Sequence, residues 1–406
     1  MSLAPSATGP DVDVPALLVR TGRPAWDYGA LATVRTLGRW GIPVLVMAEP
    51  SERELLRSKY IAGRVAVPLS PEAPPERSVG VLNAVAETFG GPCVVIAGDD
   101  ESAVLLAEHR TDIDPRLLTF DVAADLPRRL SDKASLAGVA SAVGVEYPRH
   151  IVSTSTQDIR RFVDDVGLPV IAKSPEPYAR LADSAVPFTR LIRTGAELAG
   201  IERVAAHGHR VFLQEFLARD GVQFWYTAGV ATRAGEEPVV WTGRKVAAHP
   251  AETGVGVVNV ALPQKQIAAR MANACAQIGY VGPFDADWVL DPSNGALHLI
   301  DFNPRRGAQF RLFTTTSGLD GVRACHLHLT GRHIDWGEQV FGRVQLVENL
   351  SLAQGGRGRP RRYLRDPVAV ERSWWAADDI SPALAMAGQM LGSAGRKILG
   401  TAKGRG

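Results

Sequence analysis

The chain has 406 residues, of which 46% are hydrophobic and 22% are charged, and its formal net charge at pH 7 is +2. This length and balance predict a globular protein of two or three domains, and the near-neutral charge argues against a nucleic-acid partner. The N-terminus lacks the basic and apolar regions of a signal peptide, no apolar run approaches the roughly 20 residues that span a bilayer, and the three cysteines are far apart. We therefore expect a cytoplasmic protein without membrane spans or disulfides.

The first part of the chain predicts a parallel βα domain over residues 14–120, after a disordered leader of residues 1–13. Short apolar runs alternate with stretches at helical spacing, which is the pattern of a parallel sheet with helices packed on it. The predicted strands are residues 16–20, 43–49, 64–68 and 93–100, and the predicted helices are residues 27–41 and 76–90.

The pattern changes after residue 120, and residues 121–335 predict an α+β body. The predicted fold class is thus α/β for residues 14–120 and α+β for residues 121–335. Predicted helices cover residues 131–144, 155–167, 193–208 and 263–279, and predicted strands cover residues 168–174, 211–217, 222–232, 238–246, 282–291 and 295–303. Residues 336–406 form a basic C-terminal extension, with a helix expected over residues 383–399.

Four polar side chains stand on two predicted strands joined by the turn "DPSNG", which is a β-hairpin signal. Asp285 and Asp287 lie two residues apart on the first strand, and Asp301 and Asn303 lie two residues apart on the second. Alternate residues of a strand share a face, so the hairpin could set all four groups together. A divalent cation such as Mg²⁺ would offset the repulsion between these carboxylates. The alternative is a pair of exposed polar strand ends.

Cationic side chains stand at the ends of several predicted elements. Lys173 ends the apolar run "PVIA", Lys133 lies in the first turn of a helix, and Arg244 and Lys245 end a strand. A buried ammonium needs an anion, and a helix N-terminus favours an anion over a cation. A phosphate would satisfy these groups, although each lysine taken alone is better explained by a charged end that reaches solvent.

The segment "FLQEF" places Gln214 and Glu215 in an otherwise apolar strand. The edge of a buried strand can present its backbone N–H and C=O groups to a purine ring. An edge strand with a solvated Glu215 explains the segment equally well, so these residues alone leave both interpretations open.

The order of these motifs resembles the ATP-grasp superfamily of ATP-dependent ligases. The motifs are "SDKASL", "PVIAKS", "LQEFL", "TGRKV", "FDADW" and "IDFNPR", and they lie within residues 121–335. The nearest branch in this resemblance is the carboxylate–amine ligases related to D-aspartate ligase and carbamoyl-phosphate-synthase-like proteins. The resemblance implies an N-terminal pre-ATP-grasp parallel βα domain followed by a two-lobed ATP-grasp fold, with ATP between the lobes.

The resemblance also implies roles for single residues, with ATP and Mg²⁺ (or Mn²⁺) as cofactors. The metal ligands would be Asp287, Asp301 and Asn303, and the groups acting on the transferred phosphoryl or the acyl phosphate would be Arg305 and Arg244. The nucleotide would contact Lys133, Lys173, Lys245, Gln214, Glu215, Phe216 and Leu217. In two respects the chain departs from the family: Asp301 stands where Glu is usual, and the segment after Lys173 lacks a glycine-rich loop. Either Arg180 or Arg190 would replace this loop, or the lid over the phosphates would come from another segment.

The function that the resemblance implies is amide or peptide bond formation between a small-molecule carboxylate and an amine, through an acyl phosphate, with release of ADP and phosphate. Candidate substrate contacts are Asp285, Arg306 and Arg311, the two arginines as clamps for a carboxylate. The alternatives are an ATP-grasp kinase, a thioester-forming or carbamoyl-forming enzyme, and a non-catalytic nucleotide-binding protein. Relatives are often dimers, which leaves a homodimer open.

Overall fold

The computed structural model describes residues 9–21, 26–65, 69, 73–175, 189–217, 221–354 and 360–403. Most of the predicted leader and Arg180 lie outside this part of the chain. The described residues form three sheets of five, four and seven strands. All three cysteines are buried free thiols, as the sequence predicts. Among the described residues, no helix is both long and apolar enough to cross a membrane.

The five-stranded sheet is parallel and belongs to the first domain, as predicted. Its strands are β1 (Ala16–Val19), β2 (Val44–Met47), β3 (Ile61–Val65), β4 (Cys93–Ala97) and β5 (Leu117–Leu118). Its helices are α1 (Tyr28–Gly38), α2 (Arg53–Leu56), α3 (Pro75–Phe89) and α4 (Asp100–Glu108). The strand order is β3-β2-β1-β4-β5. Strands β2 and β3 thus lie on one side of β1, and strands β4 and β5 lie on the other side. In open parallel sheets, ligands bind at the carboxyl ends of the strands at such a point.

Helix α4 is absent from the sequence prediction, which extended the fourth strand to residue 100. The strand ends at Ala97 because Asp99 caps a helix. The Asp99 side chain accepts a hydrogen bond from the Ser102 backbone N–H at 2.8 Å, and the Ser102 hydroxyl lies 3.2 Å from the Asp99 backbone nitrogen. This reciprocal cap starts α4 directly after the sheet.

The four-stranded sheet is antiparallel and forms the first lobe of the α+β body. Its strands are β6 (His150–Ser153), β7 (Val170–Lys173), β8 (Arg190–Ile192) and β9 (Val211–Glu215), in the order β6-β9-β7-β8. The accompanying helices are α5 (Leu126–Ser131), α6 (Lys133–Ala142), α7 (Thr156–Val166) and α8 (Gly195–Ala206). The predicted helix 131–144 is α6, which starts after Asp132 because the Asp132 side chain caps it by accepting a hydrogen bond from Ser135 N at 2.7 Å. Helix α5 precedes it and was not predicted.

The seven-stranded sheet forms the second lobe, with the order β14-β13-β10-β11-β12-β15-β16. Its strands are β10 (Gln223–Ala231), β11 (Val239–His249), β12 (Val255–Ala261), β13 (Gly282–Asp291), β14 (Ala296–Asn303), β15 (Arg343–Leu346) and β16 (Ala369–Arg372). Its helices are α9 (Lys265–Ile278), α10 (Gly321–Leu329), α11 (Glu348–Ala353), α12 (Pro360–Tyr363) and α13 (Ser381–Lys403), with a 3-10 turn at Phe310–Leu312. The predicted hairpin of β13 and β14 is antiparallel.

The C-terminal extension is packed into the body of the protein. Strands β15 and β16 lie in the same sheet as the candidate metal hairpin, although they follow the predicted boundary at residue 335. The buried guanidinium of Arg35 on α1 binds the Asp379 carboxylate at 2.9 Å and the Trp374 carbonyl at 2.8 Å. These contacts fix the extension against the first domain.

Candidate active site

One cavity of about 1140 Å³ is lined by residues of both lobes of the α+β body and of the first domain. Its walls include the end of β9 and Lys173 from the first lobe, and Asp287 and Asp301 from the second lobe. The candidate residues of the sequence analysis therefore meet in a cleft that is large enough for a nucleotide and a further small molecule.

The β13–β14 hairpin brings the four predicted polar groups together. Asp285 lies directly opposite Asn303, and Asp287 lies directly opposite Asp301. Side chains at directly opposite positions have Cβ atoms about 5 Å apart. The two pairs are adjacent along the hairpin, and all four residues line the cavity.

A β-bulge decides which way Asp301 points. Asp287 pairs with Asp301, but the next residue, Trp288, pairs with Leu299, so Ile300 is an extra residue in β14. Simple alternation would put Leu299 and Asp301 on one face. The bulge separates them, so Leu299 packs in the core with Trp288 and Asp301 faces the cavity.

Three lysines surround the Asp287–Asp301 pair. The Lys133 ammonium donates a hydrogen bond to Asp301 Oδ1, and Lys245 Nζ lies 3.9 Å from Asp287 Oδ1. Lys173 Nζ lies 3.5 Å from Gln214 Oε1. Burial and the neighbouring lysines lower the pKa of Lys173 to about 8, against the attraction of the acids. The site therefore holds more positive charge than its own carboxylates balance, which suits a phosphate chain.

The acids have opposite pKa shifts. Burial alone would raise the pKa of Asp301, but Lys133 and Lys173 hold it below its usual value. Burial and the charge of Asp301 raise the pKa of Asp287, although Lys245 acts against this. Burial and Asp287 raise the pKa of Asp285 to about 8.

These residues fit a divalent cation that is also held by phosphate oxygens. Asp287 Oδ1 is buried and accepts no hydrogen bond, so it keeps a free lone pair. Asp301 and Asn303 supply two further oxygen ligands of the kind that Mg²⁺ and Mn²⁺ prefer. Within the described part of the chain, no three carboxylate, imidazole or thiol groups cluster tightly enough to bind an ion without such a partner.

Asp285 orients Asn303 rather than facing the lysines. It accepts hydrogen bonds from Asn303 Nδ2 at 3.3 Å and from Gln309 Nε2 at 2.7 Å. The Asn303 amide oxygen is therefore turned away from Asp285 and accepts from Arg305 Nη2 at 3.1 Å. Gly307 makes room for this arrangement, because a Cβ there would lie 2.6 Å from the Asp285 carboxyl carbon.

Arg305 lies between acids of two domains. Its Nε is 3.1 Å from Asp100 Oδ1, and its Nη1 is 4.0 Å from Asp285 Oδ2. Burial would lower the pKa of this guanidinium, but Asp100, Asp285 and Asp301 outweigh burial and raise it. Arg305 is thus a permanent cation that lines the cavity beside the metal ligands.

The strand that carries Gln214 is an inner strand, which corrects both edge-strand interpretations. Strand β9 pairs with β6 on one side and with β7 on the other. Gln214 is only 3% exposed and its Nε2 has no hydrogen-bond partner, while Glu215 binds Arg149 Nε at 3.0 Å. Phe216 and Leu217 follow the last paired residue of β9 and line the cavity.

Three arginines of the sequence analysis have different surroundings. Arg244 lines the cavity, and its buried Nε has no hydrogen-bond partner. Arg306 is 3% exposed and is absent from the cavity wall, and burial lowers its pKa to about 10. Arg311 donates to Asp320 Oδ2 at 2.7 Å and is also outside the cavity. Neither Arg306 nor Arg311 thus faces the cavity, where a substrate carboxylate would bind.

Two residues of the first domain line the cavity and were not singled out in the sequence. Tyr28 is the first residue of α1, and Asp100 is the first residue of α4. Each follows the carboxyl end of a buried parallel strand, β1 or β4. Because ligands bind at the carboxyl ends of parallel strands, both residues could have been predicted to lie at a ligand site. Asp100 was placed within a strand instead, because the sequence does not predict α4.

Comparison with known proteins identifies the fold. The biotin carboxylase domain of Hydrogenobacter thermophilus 2-oxoglutarate carboxylase matches with a TM-score of 0.58 at 15% identity, over 81% of this chain and 73% of that chain. The N5-carboxyaminoimidazole synthetase of Staphylococcus aureus matches with a TM-score of 0.61 at 13% identity, over 85% of each chain. The chain has the ATP-grasp fold.

Sequence comparison gives a weaker match to the same group of proteins. The arginine-specific large chain of mitochondrial carbamoyl phosphate synthase from Neurospora crassa is 25% identical over 226 residues, which cover 51% of this chain. The match spans only 18% of that much longer protein. No protein-family model matches the chain. The ATP-grasp resemblance inferred from the motifs is thus confirmed for the fold, and the roles of single residues stay predictions.

Proposed function

We propose that the protein is an ATP-dependent carboxylate–amine ligase that forms an amide or peptide bond through an acyl phosphate and releases ADP and phosphate. The observation that carries this proposal is the meeting of Lys133, Lys173 and Lys245 with the opposed Asp287 and Asp301 in a cleft between two lobes. Such a centre suits phosphoryl transfer, which depends mainly on positioning and on neutralising charge.

Proteins of the same fold support ATP and Mg²⁺ as cofactors. The Hydrogenobacter thermophilus biotin carboxylase domain was solved with MgADP, ADP and bicarbonate. The Staphylococcus aureus N5-carboxyaminoimidazole synthetase was solved with ADP. We infer that this chain binds ATP and Mg²⁺, or Mn²⁺, in the corresponding cleft.

The nucleotide would lie across the end of β9. The backbone of Phe216 and Leu217 would meet the adenine, with Gln214 and Glu215 beside it. The lysines would hold the phosphates, and Lys133 would exchange Asp301 for a phosphate oxygen. This exchange frees the Asp301 carboxylate at the moment when the nucleotide brings its own negative charge into the site.

The metal ligands would be Asp287, Asp301 and the amide oxygen of Asn303. When bound, the cation neutralises phosphate charge and aligns the phosphoryl group for transfer. Asp285 keeps the Asn303 amide nitrogen turned away, so that its oxygen is presented to the site. Arg305, with Arg244 in support, would stabilise negative charge on the transferred group and then on the acyl phosphate.

The test is ADP release with Mg²⁺–ATP across a matrix of amino acids offered as acid and as amine, with Asp301→Ala as the blank. A ligase releases ADP only when both an acid and an amine are present, and the blank releases none. Release with one substrate alone indicates a kinase or a thioester-forming or carbamoyl-forming enzyme. Calorimetric binding of ATP without turnover indicates a nucleotide-binding protein. The domain boundaries, a cytoplasmic location and a homodimer stay predictions.

A further inference from the structure

Helix α13 exposes apolar side chains along one side, which we call the outer stripe and define by Ile380, Leu384 and Leu391. The Leu384 backbone nitrogen donates to the Ile380 carbonyl at 3.3 Å, so Ile380 belongs to the first turn. The spacings of four and seven residues place the three side chains on one side of the helix, and they are 40%, 62% and 75% exposed. We propose that the outer stripe, with the basic residues that follow it, binds the surface of an anionic lipid bilayer.

The other side of α13 is fixed to the body of the protein. Ala383 is 8% exposed and Met386 is 4% exposed, and both belong to the hydrophobic core that includes Leu55 of α2. Gln389 Nε2 donates a hydrogen bond to Glu54 Oε2, also on α2, at 2.7 Å. Because these contacts hold one side of α13 against the first domain, the outer stripe is turned to the solvent.

Apolar residues on two sides give α13 more apolar surface than the body covers. Single exposed apolar side chains are common and need no explanation. Three at helical spacing form a continuous strip, and Ile398 continues the spacing of seven residues in the sequence. A strip of this kind is typical of a helix that another molecule covers.

Charge indicates which molecule covers the outer stripe. From Ile380 to Gly406 the sequence has four basic residues and no acidic residue, which gives a net charge of +4. The basic residues are Arg396, Lys397, Lys403 and Arg405. A helix with an apolar side and a basic sequence binds anionic bilayers, because the apolar side enters the headgroup boundary and the basic groups meet lipid phosphates.

Two other occupants use only one of these features. A second copy of the chain could cover the apolar side chains, but residues 380–406 of the two copies would then meet with like charges and no acids. A nucleic acid could bind the basic residues through its phosphates, but it would leave the leucines exposed. An anionic bilayer receives both the apolar side chains and the charges.

The outer stripe is separate from the candidate active site, because none of its residues lines the cavity. Binding to a bilayer therefore goes beyond the proposed ligase function and is measured without nucleotide or substrate. The experiment sediments the full chain with vesicles of phosphatidylcholine mixed with phosphatidylglycerol, and with vesicles of phosphatidylcholine alone. The wild-type chain should bind the anionic vesicles at least about 10-fold more tightly, since its basic residues are attracted only there. Added salt should weaken that binding.

Two variants separate the apolar contribution from the charge. The leucine variant, Leu384→Ser with Leu391→Ser, should lower the affinity for anionic vesicles about 10-fold to 100-fold, because its apolar side chains no longer enter the bilayer. The charge variant, Arg396→Gln with Lys397→Gln, should lower it about 10-fold, the usual effect of two charges near an anionic surface. Circular dichroism checks that each variant folds, and the charge variant serves if the leucine variant does not.

Each variant has a matched control elsewhere on the surface. Val368→Ser changes another exposed apolar residue and is the control for the leucine variant. Arg161→Gln with Arg233→Gln removes two exposed arginines of other elements and is the control for the charge variant. Neither control should change the affinity for vesicles.

Four results would overturn the inference. In the first, the wild-type chain does not bind anionic vesicles. In the second, it binds both kinds of vesicle equally. In the third, the leucine variant binds like the wild-type chain, or the controls lower binding as much as the variants do. In the fourth, the wild-type chain forms a dimer that the leucine variant loses and binds no vesicles, so that a second copy covers the outer stripe. Release of ADP is measured separately, so the failure of either proposal leaves the other standing.

Discussion

The two ends of the cavity are built in different ways. The nucleotide end is formed by residues after 121, and its lysines and acids already contact one another: Lys133 binds Asp301, and Lys245 approaches Asp287. The other end, which we call the far end, lies around Arg305, which joins Asp285 of the hairpin to Asp100 of the first domain, with Tyr28 also in the cavity wall. The difference teaches that the nucleotide end is built from charge pairs within the α+β body, whereas the far end depends on a charge pair that crosses a domain boundary.

The largest effect is expected from Asp301→Asn, which tests whether the nucleotide end depends on a cation. Asn removes the charge that opposes Lys133 and that would hold Mg²⁺, so ADP release should fall about 1000-fold. Binding of Mn²⁺ in the presence of ADP, measured by electron paramagnetic resonance, should weaken in parallel. Glu236→Gln changes an exposed acid paired with Arg233 and is the matched control. Unchanged Mn²⁺ binding in Asp301→Asn would contradict the assigned ligand.

A smaller effect is expected from Lys173→Met, which separates binding from stability at the nucleotide end. Burial lowers the pKa of Lys173 to about 8, so the folded protein disfavours its charged form. Removing the charge should weaken ADP binding about 10-fold to 100-fold and yet raise the free energy of unfolding at pH 7 by about 1–3 kcal/mol. Calorimetry and thermal unfolding measure the two quantities. A loss of both would show that Lys173 stabilises the empty fold.

The pH dependence of ADP binding should give an effect of at most about tenfold per pH unit. Lys173 has a pKa of about 8 in the empty protein, and a bound phosphate would raise it. Above pH 8 the nucleotide must therefore bind together with a proton, and its affinity falls as the pH rises. Asp285, with its pKa near 8, adds negative charge over the same range. Lys173→Met should reduce the slope between pH 8 and pH 9, and an equal slope would contradict the assignment to Lys173.

The sequence predicts the nucleotide end better than the far end for physical reasons. The hairpin register follows from one short turn, and the lysine positions follow from the ends of apolar runs, so local patterns suffice there. The bulge at Ile300 and the inner position of β9 depend on partner strands that the local sequence does not specify. The far end requires two helix starts to meet Arg305 across a domain boundary, and the residue that caps α4, Asp99, lies within a stretch whose apolar pattern predicts a strand.

The same limit explains the two arginines after Arg305. The run "RRGAQFR" invites a carboxylate clamp, but chain neighbours diverge once the strand ends. Arg306 turns into the boundary with the first domain, where the charges of Asp27 and of other arginines act on it. Arg311 turns toward Asp320, which is fully buried. Cationic residues close in sequence therefore divide between the cavity wall and the joining of domains.

Arg311→Met should have the smallest effect on the site and a large effect on the fold. Arg311 binds Asp320, whose other oxygen accepts from the backbone nitrogens of Val322 and Arg323 at the start of α10. Removing the guanidinium takes away the positive charge and the hydrogen bond that offset the burial of the Asp320 carboxylate. The free energy of unfolding should therefore fall by about 3 kcal/mol. KM for ATP and for both substrates should change less than about 2-fold, because Arg311 lies outside the cavity. An increase in KM for the acid alone would contradict this prediction. It would show that Arg311 contacts the substrate acid and that the substrate site reaches from the far end toward the C-terminal strands.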